Sequence, residues 1–280
     1  MKYLILTTFV IILSACAGTK KVVEHKPNTV AQSEIETKKE IDSPLQKVVE
    51  VADDEFHQKL IKGVITTHQL WDELLMKHVS GNGNVNYKSF KTEHKKLLDY
   101  IYVLSLFYAN DAFNTISNDE KLAFWINAYN AFTIDLILRQ YPLKSIKDIK
   151  KPWEQRLWKL GEKEFSLNDI EHEILRKMDE PRIHFAIVCA SVSCPKLLNE
   201  AYTAENLEAQ LTEATKDFLS DSTKNNISKD SLELSKIFQW FAKDFKQNGS
   251  LVDFLNQYSD VQISAKAKKS YKSYNWDLNE

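Results

Sequence analysis

Apolar positions in the first half of the chain recur at helical spacing. Leu60, Val64, His68, Trp71, Leu74 and Leu75 share one face of a predicted helix, and Ser80-Gly81-Asn82-Gly83-Asn84 then breaks the chain. Val85-Asn86-Tyr87 reads as a short extended piece. Lys91 to Tyr108 reads as a second helix, with Leu97, Leu98, Ile101, Leu104 and Leu106 on its apolar side. The clearest helix opens at Ser117, where Glu120 three residues on completes a capping box, and runs to Tyr141, where Pro142 stops it. It is apolar nearly all round, which predicts a central position. Asn127 and Asn130 sit three apart on one of its faces. Asparagine is a poor helix former and costly to bury unpaired, so each needs a partner in a neighbouring loop or a site.

After Pro142 the pattern shortens. Arg156-Leu-Trp-Lys-Leu, a Gly161-Glu162 turn and Glu164-Phe165-Ser166 predict a small hairpin. Ser166 with Asp169 caps a further helix over Leu167 to Met178, ended by Pro181. Ile183 to Ala190 has high β propensity and is apolar on both faces after His184, which predicts a strand inside a sheet. Thr203 is expected to cap a helix reaching Leu219. Ser231 to Ile237 is expected to be a strand, Phe238–Phe245 and Ser250–Tyr258 short helices, and Tyr271–Leu278 a terminal strand. These elements give an α+β class, a helical front half packed on a small, mostly antiparallel sheet.

The first residues change the picture of where the protein works. Met1-Lys2, the apolar run Tyr3 to Leu13, and Leu13-Ser14-Ala15-Cys16 have the layout of a secretory leader. The last four residues resemble a bacterial lipobox, which implies cleavage after residue 15 and a diacylated Cys16. The apolar run is shorter than the about 20 residues a spanning helix needs. Membrane lipid is thus one expected partner, reached through Cys16. Ala17 rather than Asp follows the cysteine, so nothing argues for retention at the inner membrane. The expected location is the bacterial cell envelope, anchored at the outer membrane on its periplasmic or surface side. Residues 16–54 mix Lys, Glu, Thr, Gln and Pro with no aromatic residue, which predicts a disordered linker. All six tryptophans lie beyond Phe56, so residues 55–280 form the folded domain. The net charge is −2 and no basic stripe with interleaved aromatics occurs, which argues against nucleic acid as a partner.

Candidate chemistry gathers at His184, Cys189 and Cys194. In a strand, His184 and Cys189 would point to opposite faces, and Cys189 would share its face with Phe185 and Ile187 as a small core residue. Cys194 follows a polar turn and precedes Pro195, which suits the N-cap of a helix over Lys196-Leu197-Leu198. There the helix dipole and free backbone N–H groups would favour a thiolate and stabilise an oxyanion. His184 and His172 are both candidates for its base. Three alternatives remain open. A zinc site lacks the short ligand pair, a Cys189–Cys194 disulfide suits an oxidising compartment, and Cys194 can be a plain turn residue. No metal and no cofactor is expected.

Several blocks resemble one family. Phe124-Trp-Ile-Asn-Ala-Tyr-Asn130, Ile170-Glu171-His172, the run His184 to Pro195, Phe238-Gln-Trp240 with Asp244-Phe245, and Tyr274-Asn-Trp-Asp-Leu-Asn279 are similar, in order, to DUF547. The resemblance covers most of residues 70–280. It implies a papain-like cysteine hydrolase fold with Cys194 as nucleophile, His184 as base and Glu171 as the group that orients it. Asn127, forced into a helix interior, is expected to support a loop or donate to the oxyanion. The expected reaction is acyl transfer or hydrolysis of an amide or thioester in a peptide or other envelope substrate. The competing expectation is a non-catalytic envelope module that holds a peptide or glycan in the same cleft.

Overall fold

Around one central helix the chain builds a large aromatic core, and a smaller core grows beside it. The structure is a computed structural model and describes residues 67–280. The expected leader (1–15), Cys16, the linker (16–54), and Leu60 and Val64 of the opening helix lie outside the described residues.

Helix α1 (Gln69–His78) buries Trp71, Leu74, Leu75 and His78. The helix expected from Lys91 is two helices, α2 (Tyr87–Thr92) and α3 (His94–Ala109). Glu93 breaks them: its carboxylate leaves the helical path to meet Lys77 at 2.6 Å, His78 at 2.7 Å and Lys96 at 3.0 Å. Helix α4 (Asn118–Gln140) carries the Ser117/Glu120 capping box and is buried from Leu122 through Leu138. Strands β1 (Trp158–Leu160) and β2 (Lys163–Phe165) form the expected antiparallel hairpin. Its turn places Gly161 at φ 55°, a left-handed conformation natural to glycine.

Helix α5 (Leu167–Glu173), capped by Ser166, is shorter than expected and gives way to a 3-10 turn at Leu175–Lys177. Residues Ile183–Ala186 form one helical turn, α6, not the start of a strand. Helix α7 (Leu207–Ser220) follows, beginning four residues after Thr203. Strands β3 (Asn226–Ile227), β4 (Ser231–Leu234) and β5 (Lys268–Tyr271) make a second sheet, with β4 central, antiparallel to β3 and parallel to β5. Between β4 and β5 lie the short α8 (Ile237–Trp240) and α9 (Leu251–Tyr258). Where a terminal strand was expected, residues after Tyr271 form only single bridges, Asp277 with Ser145 and Leu278 with Ser191.

The α+β class therefore holds, with the strands divided between two small sheets. Side chains from α1 to α5 and the hairpin make the large core. The small core is Phe218 of α7, Leu232 and Leu234 of β4, Phe238, Phe245, and Phe254 of α9. Helix α6 sits on the seam: Ile183 and Ala186 belong to the large core and Phe185 to the small one.

Candidate functional site

Two asparagines of α4 hold the loops that carry the site. Asn130 donates to the Ala186 carbonyl at 2.9 Å and accepts from the Val188 N–H at 2.9 Å. Asn127 does the same for one residue, donating to the Tyr202 carbonyl at 2.8 Å and accepting from its N–H at 3.0 Å. Each side-chain amide thus supplies the donor and acceptor that a neighbouring strand would have supplied. This explains why the β-prone Ile187 and Val188 lie buried without joining a sheet. Upstream, Arg182 ties the entry to α6 through Glu180 at 2.6 Å and Glu208 at 2.7 Å, so tertiary contacts override β propensity over Ile183–Ala186. Asn127 is engaged as a loop support.

With a helical turn in place of the strand, His184 and Cys189 do not alternate across a sheet. Ala190 adopts φ 55°, a left-handed conformation uncommon outside glycine, and the chain reverses there. Cys189 is half-buried and Cys194 is buried, 3 % exposed, the reverse of the expected placement. No helix starts at Pro195; the next one is α7. The donors near Cys194 Sγ are instead the Cys189 N–H at 2.9 Å and the Tyr274 hydroxyl at 3.3 Å. The two sulfurs are joined in a disulfide, with Cα atoms 6.2 Å apart. Tyr274 Oη also lies 3.3 Å from Cys189 Sγ, so one phenol touches both sulfurs.

His184, on α6, is 3 % exposed, and its Nε2 meets Asp244 Oδ2 at 2.8 Å. Arg176 grips the same carboxylate with two bonds, at 2.6 and 2.8 Å. The imidazole stacks on Phe241 with ring centres 3.9 Å apart. Burial lowers the His184 pKa, and Asp244 and Glu171 only partly oppose it. A neutral ring donating Nε2–H to Asp244 leaves Nδ1 as its basic nitrogen. Burial pushes Asp244 up, but Arg176 and His184 outweigh it and hold the carboxyl well below the usual range.

Both shifts have the same sign for stability. The unfolded chain binds protons that the folded one refuses, so stability is complete above the ordinary histidine pKa of about 6.5 and falls as the pH drops. The Asp244 share is lost later, below the ordinary carboxylate range. Thermal melts from pH 8 to pH 2 should therefore show two stages of decline. His184→Gln should shrink the upper stage without abolishing it, because burial also lowers His68 to about 4. An upper stage unchanged in that variant would refute the assignment.

Glu171 is buried, and its Oε2 accepts from the Tyr129 hydroxyl at 3.1 Å. It acts on His184 through space, while the carboxylate bonded to the ring is that of Asp244. His172 is partly exposed, with Nδ1 3.1 Å from an Arg176 nitrogen and 4.0 Å from Glu171 Oε1. All of these side chains but Asp244 and Arg176 border one cleft of about 260 Å³, together with Trp153, Trp240, Phe241 and Trp276. Among the described residues no group of three or more His, Cys, Asp and Glu side chains is arranged to hold a metal ion.

Residues 113–219 match the family model DUF547, described as a protein of unknown function. The DUF547 match spans Glu171, His184 and both sulfurs, and stops short of Trp240, Asp244, Tyr274 and Trp276. No curated protein and no solved structure matches the chain.

Glu171, His184 and Cys194, the three residues singled out in the sequence, line this one cleft; Asp244, Tyr129 and Tyr274 are not among the expected site residues. Asp244 had a signal in Asp244-Phe245, a motif quoted without a role. Tyr129 lies in the Phe124–Asn130 block but by periodicity reads as one more apolar position of α4.

Proposed function

We propose that the cleft is a thiol-dependent acyl-transfer site that hydrolyses an amide or thioester once the Cys189–Cys194 bond is reduced. The observation that supports it is a buried imidazole, fixed by Asp244, on the wall of the same cleft as the partly buried Cys189. In this proposal an external dithiol first transfers two electrons and two protons to the disulfide and leaves oxidised. Cys189, the less buried of the two cysteines, then attacks the acyl carbon while His184 Nδ1 takes its proton. The leaving group departs with that proton, and water hydrolyses the thioester, regenerating the thiol. Cys194, the expected nucleophile, becomes the partner that closes the disulfide. Asp244 orients the base, the role expected of Glu171. The papain-like comparison enters as likeness of chemistry, and the lipobox-like Cys16 adds a lipid tether in the envelope.

Iodoacetamide at pH 7 tests this. Without reductant Cys189 should stay unlabelled. After dithiothreitol it should label faster than Cys194, and His184→Ala should slow it at least about tenfold. Phenyl thioacetate should leave an acetyl group on Cys189 of the reduced protein. Reduced Cys189 reacting no faster than a free cysteine peptide would overturn the enzyme and leave the binding module.

A further inference from the structure

The wall of the cleft says more about what enters than the sulfurs do. Tyr274 lies 4.6 Å from Trp276 and 4.8 Å from Trp240, centre to centre, and Trp153 lies 5.8 Å from Trp276. The planes of these three pairs are inclined by 48°, 52° and 70°, while Trp240 and Trp276 stack at 5.8 Å and 28°, so the four rings form one continuous aromatic wall of the cleft. Trp240 is 47 % exposed, a large apolar ring left at the rim. Phe241 and Tyr129 complete the aromatic lining.

The charge of the cleft is one-sided. Glu171 is its one carboxylate, no lysine or arginine lines it, and burial favours the neutral form of His184. Tyr129 occupies Glu171 Oε2, whereas the contact at Oε1 is His172 at 4.0 Å. The carboxylate and the aromatic wall thus border the same cleft.

Two of these rings already hold cations of the chain itself. Lys147 Nζ lies 4.1 Å from the centre of Trp276, and the Arg176 guanidinium lies 5.3 Å from Phe241. Neither residue lines the cleft, and Asp244 neutralises Arg176. Aromatic faces beside a carboxylate are a general means of binding ammonium groups, because ring quadrupole and anion attract the same charge. A volume of about 260 Å³ suits one alkylammonium arm and lies below the range of drug-sized ligand pockets.

We propose that the cleft binds an organic ammonium group, held by the ring faces of Trp153, Trp240, Tyr274 and Trp276 and by Glu171. As a statement about substrate, namely an acyl donor with a cationic arm, this rests on the acyl-transfer reading. As a statement about binding it does not.

The test uses the full chain with its disulfide closed, so that chemistry is off. Tryptophan fluorescence and calorimetry follow two cationic probes, Nα-acetyl-lysine methylamide and choline. Each is compared with its neutral counterpart, Nα-acetyl-norleucine methylamide and 3,3-dimethylbutan-1-ol. At least one cation should bind about tenfold more tightly than its counterpart, and which one does so tells a lysine-type arm from a quaternary head. Glu171→Gln should bring that preference close to one, and Trp240→Ala should weaken binding several-fold. Equal affinity within both pairs, no binding of any probe, or a preference that survives both substitutions overturns the proposal. Iodoacetamide labelling of reduced Cys189 is scored separately, so either idea can fail alone.

Discussion

Asp135→Ala should lower the free energy of unfolding by about 3–5 kcal/mol, the range for breaking a buried charge cluster by removing one partner. Asp135 lies fully buried in α4 and receives three donors: His94 Nε2 at 2.6 Å, Arg139 Nε at 2.7 Å and Trp158 Nε1 at 2.7 Å. Burial pushes its carboxyl up, but these partners outweigh burial and hold it below the ordinary value. His94 and Arg139 are part exposed and can turn to water after the substitution. Trp158 cannot, because its ring is buried and stacked on Phe132 at 4.6 Å. Its indole N–H would be left without an acceptor, which alone costs about 1–3 kcal/mol. Adding Trp158→Phe should therefore cost less in the Asp135→Ala background than in the native protein. Urea unfolding of the four proteins in this cycle measures the difference. A single-substitution cost below about 1 kcal/mol, or additive effects, would refute the account.

Asn130→Ala should cost about 2–5 kcal/mol, since it leaves the Ala186 carbonyl and the Val188 N–H unpaired in the interior. Asn130→Asp gives a sharper version. A carboxylate still accepts from Val188 but repels the Ala186 carbonyl, whereas a protonated carboxyl can satisfy both. The folded state therefore prefers the protonated form and raises the carboxyl pKa. Relative to the native protein, the variant should be nearly as stable below the ordinary carboxylate pKa of about 4. It should lose stability as the pH rises through the folded-state value. Melting temperatures across pH 3 to 8, each referred to the native chain at the same pH, decide it. A deficit independent of pH would mean that the amide fills space only.

These residues also mark how far the sequence could be read. Local rules placed the capping box at Ser117, the turn at Gly161 and the central helix, because each depends on neighbours within a few positions. The strand expected at Ile183–Ala190 failed for a reason no local pattern carries. Its β-prone residues meet a side-chain amide from a helix more than fifty positions earlier, and Arg182 anchors the turn before them. Burial of the two cysteines was inverted by the same error, since strand alternation was the premise. His184, Cys194 and Glu171 were found as members of one cleft. Asp244, sixty residues beyond His184, is joined to it only by the fold. Tyr274 and Trp276, the last parts of the cleft wall, stood in a segment legible as extended and silent about its contacts.

The seam on which α6 sits has a mechanical meaning. Cys189 takes its position from the large core, through Asn130 of α4. The imidazole takes its position from the other side, through Asp244, Phe241 and Phe245, which pack with the small core. On the proposed acyl-transfer reading, reactivity would depend on how the two cores pack against each other, and the integrity of either core alone would not secure it. Heat or denaturant that loosens the small core first would part base from sulfur while α1, α3 and α4 keep most of the helical signal. Inactivation would precede melting.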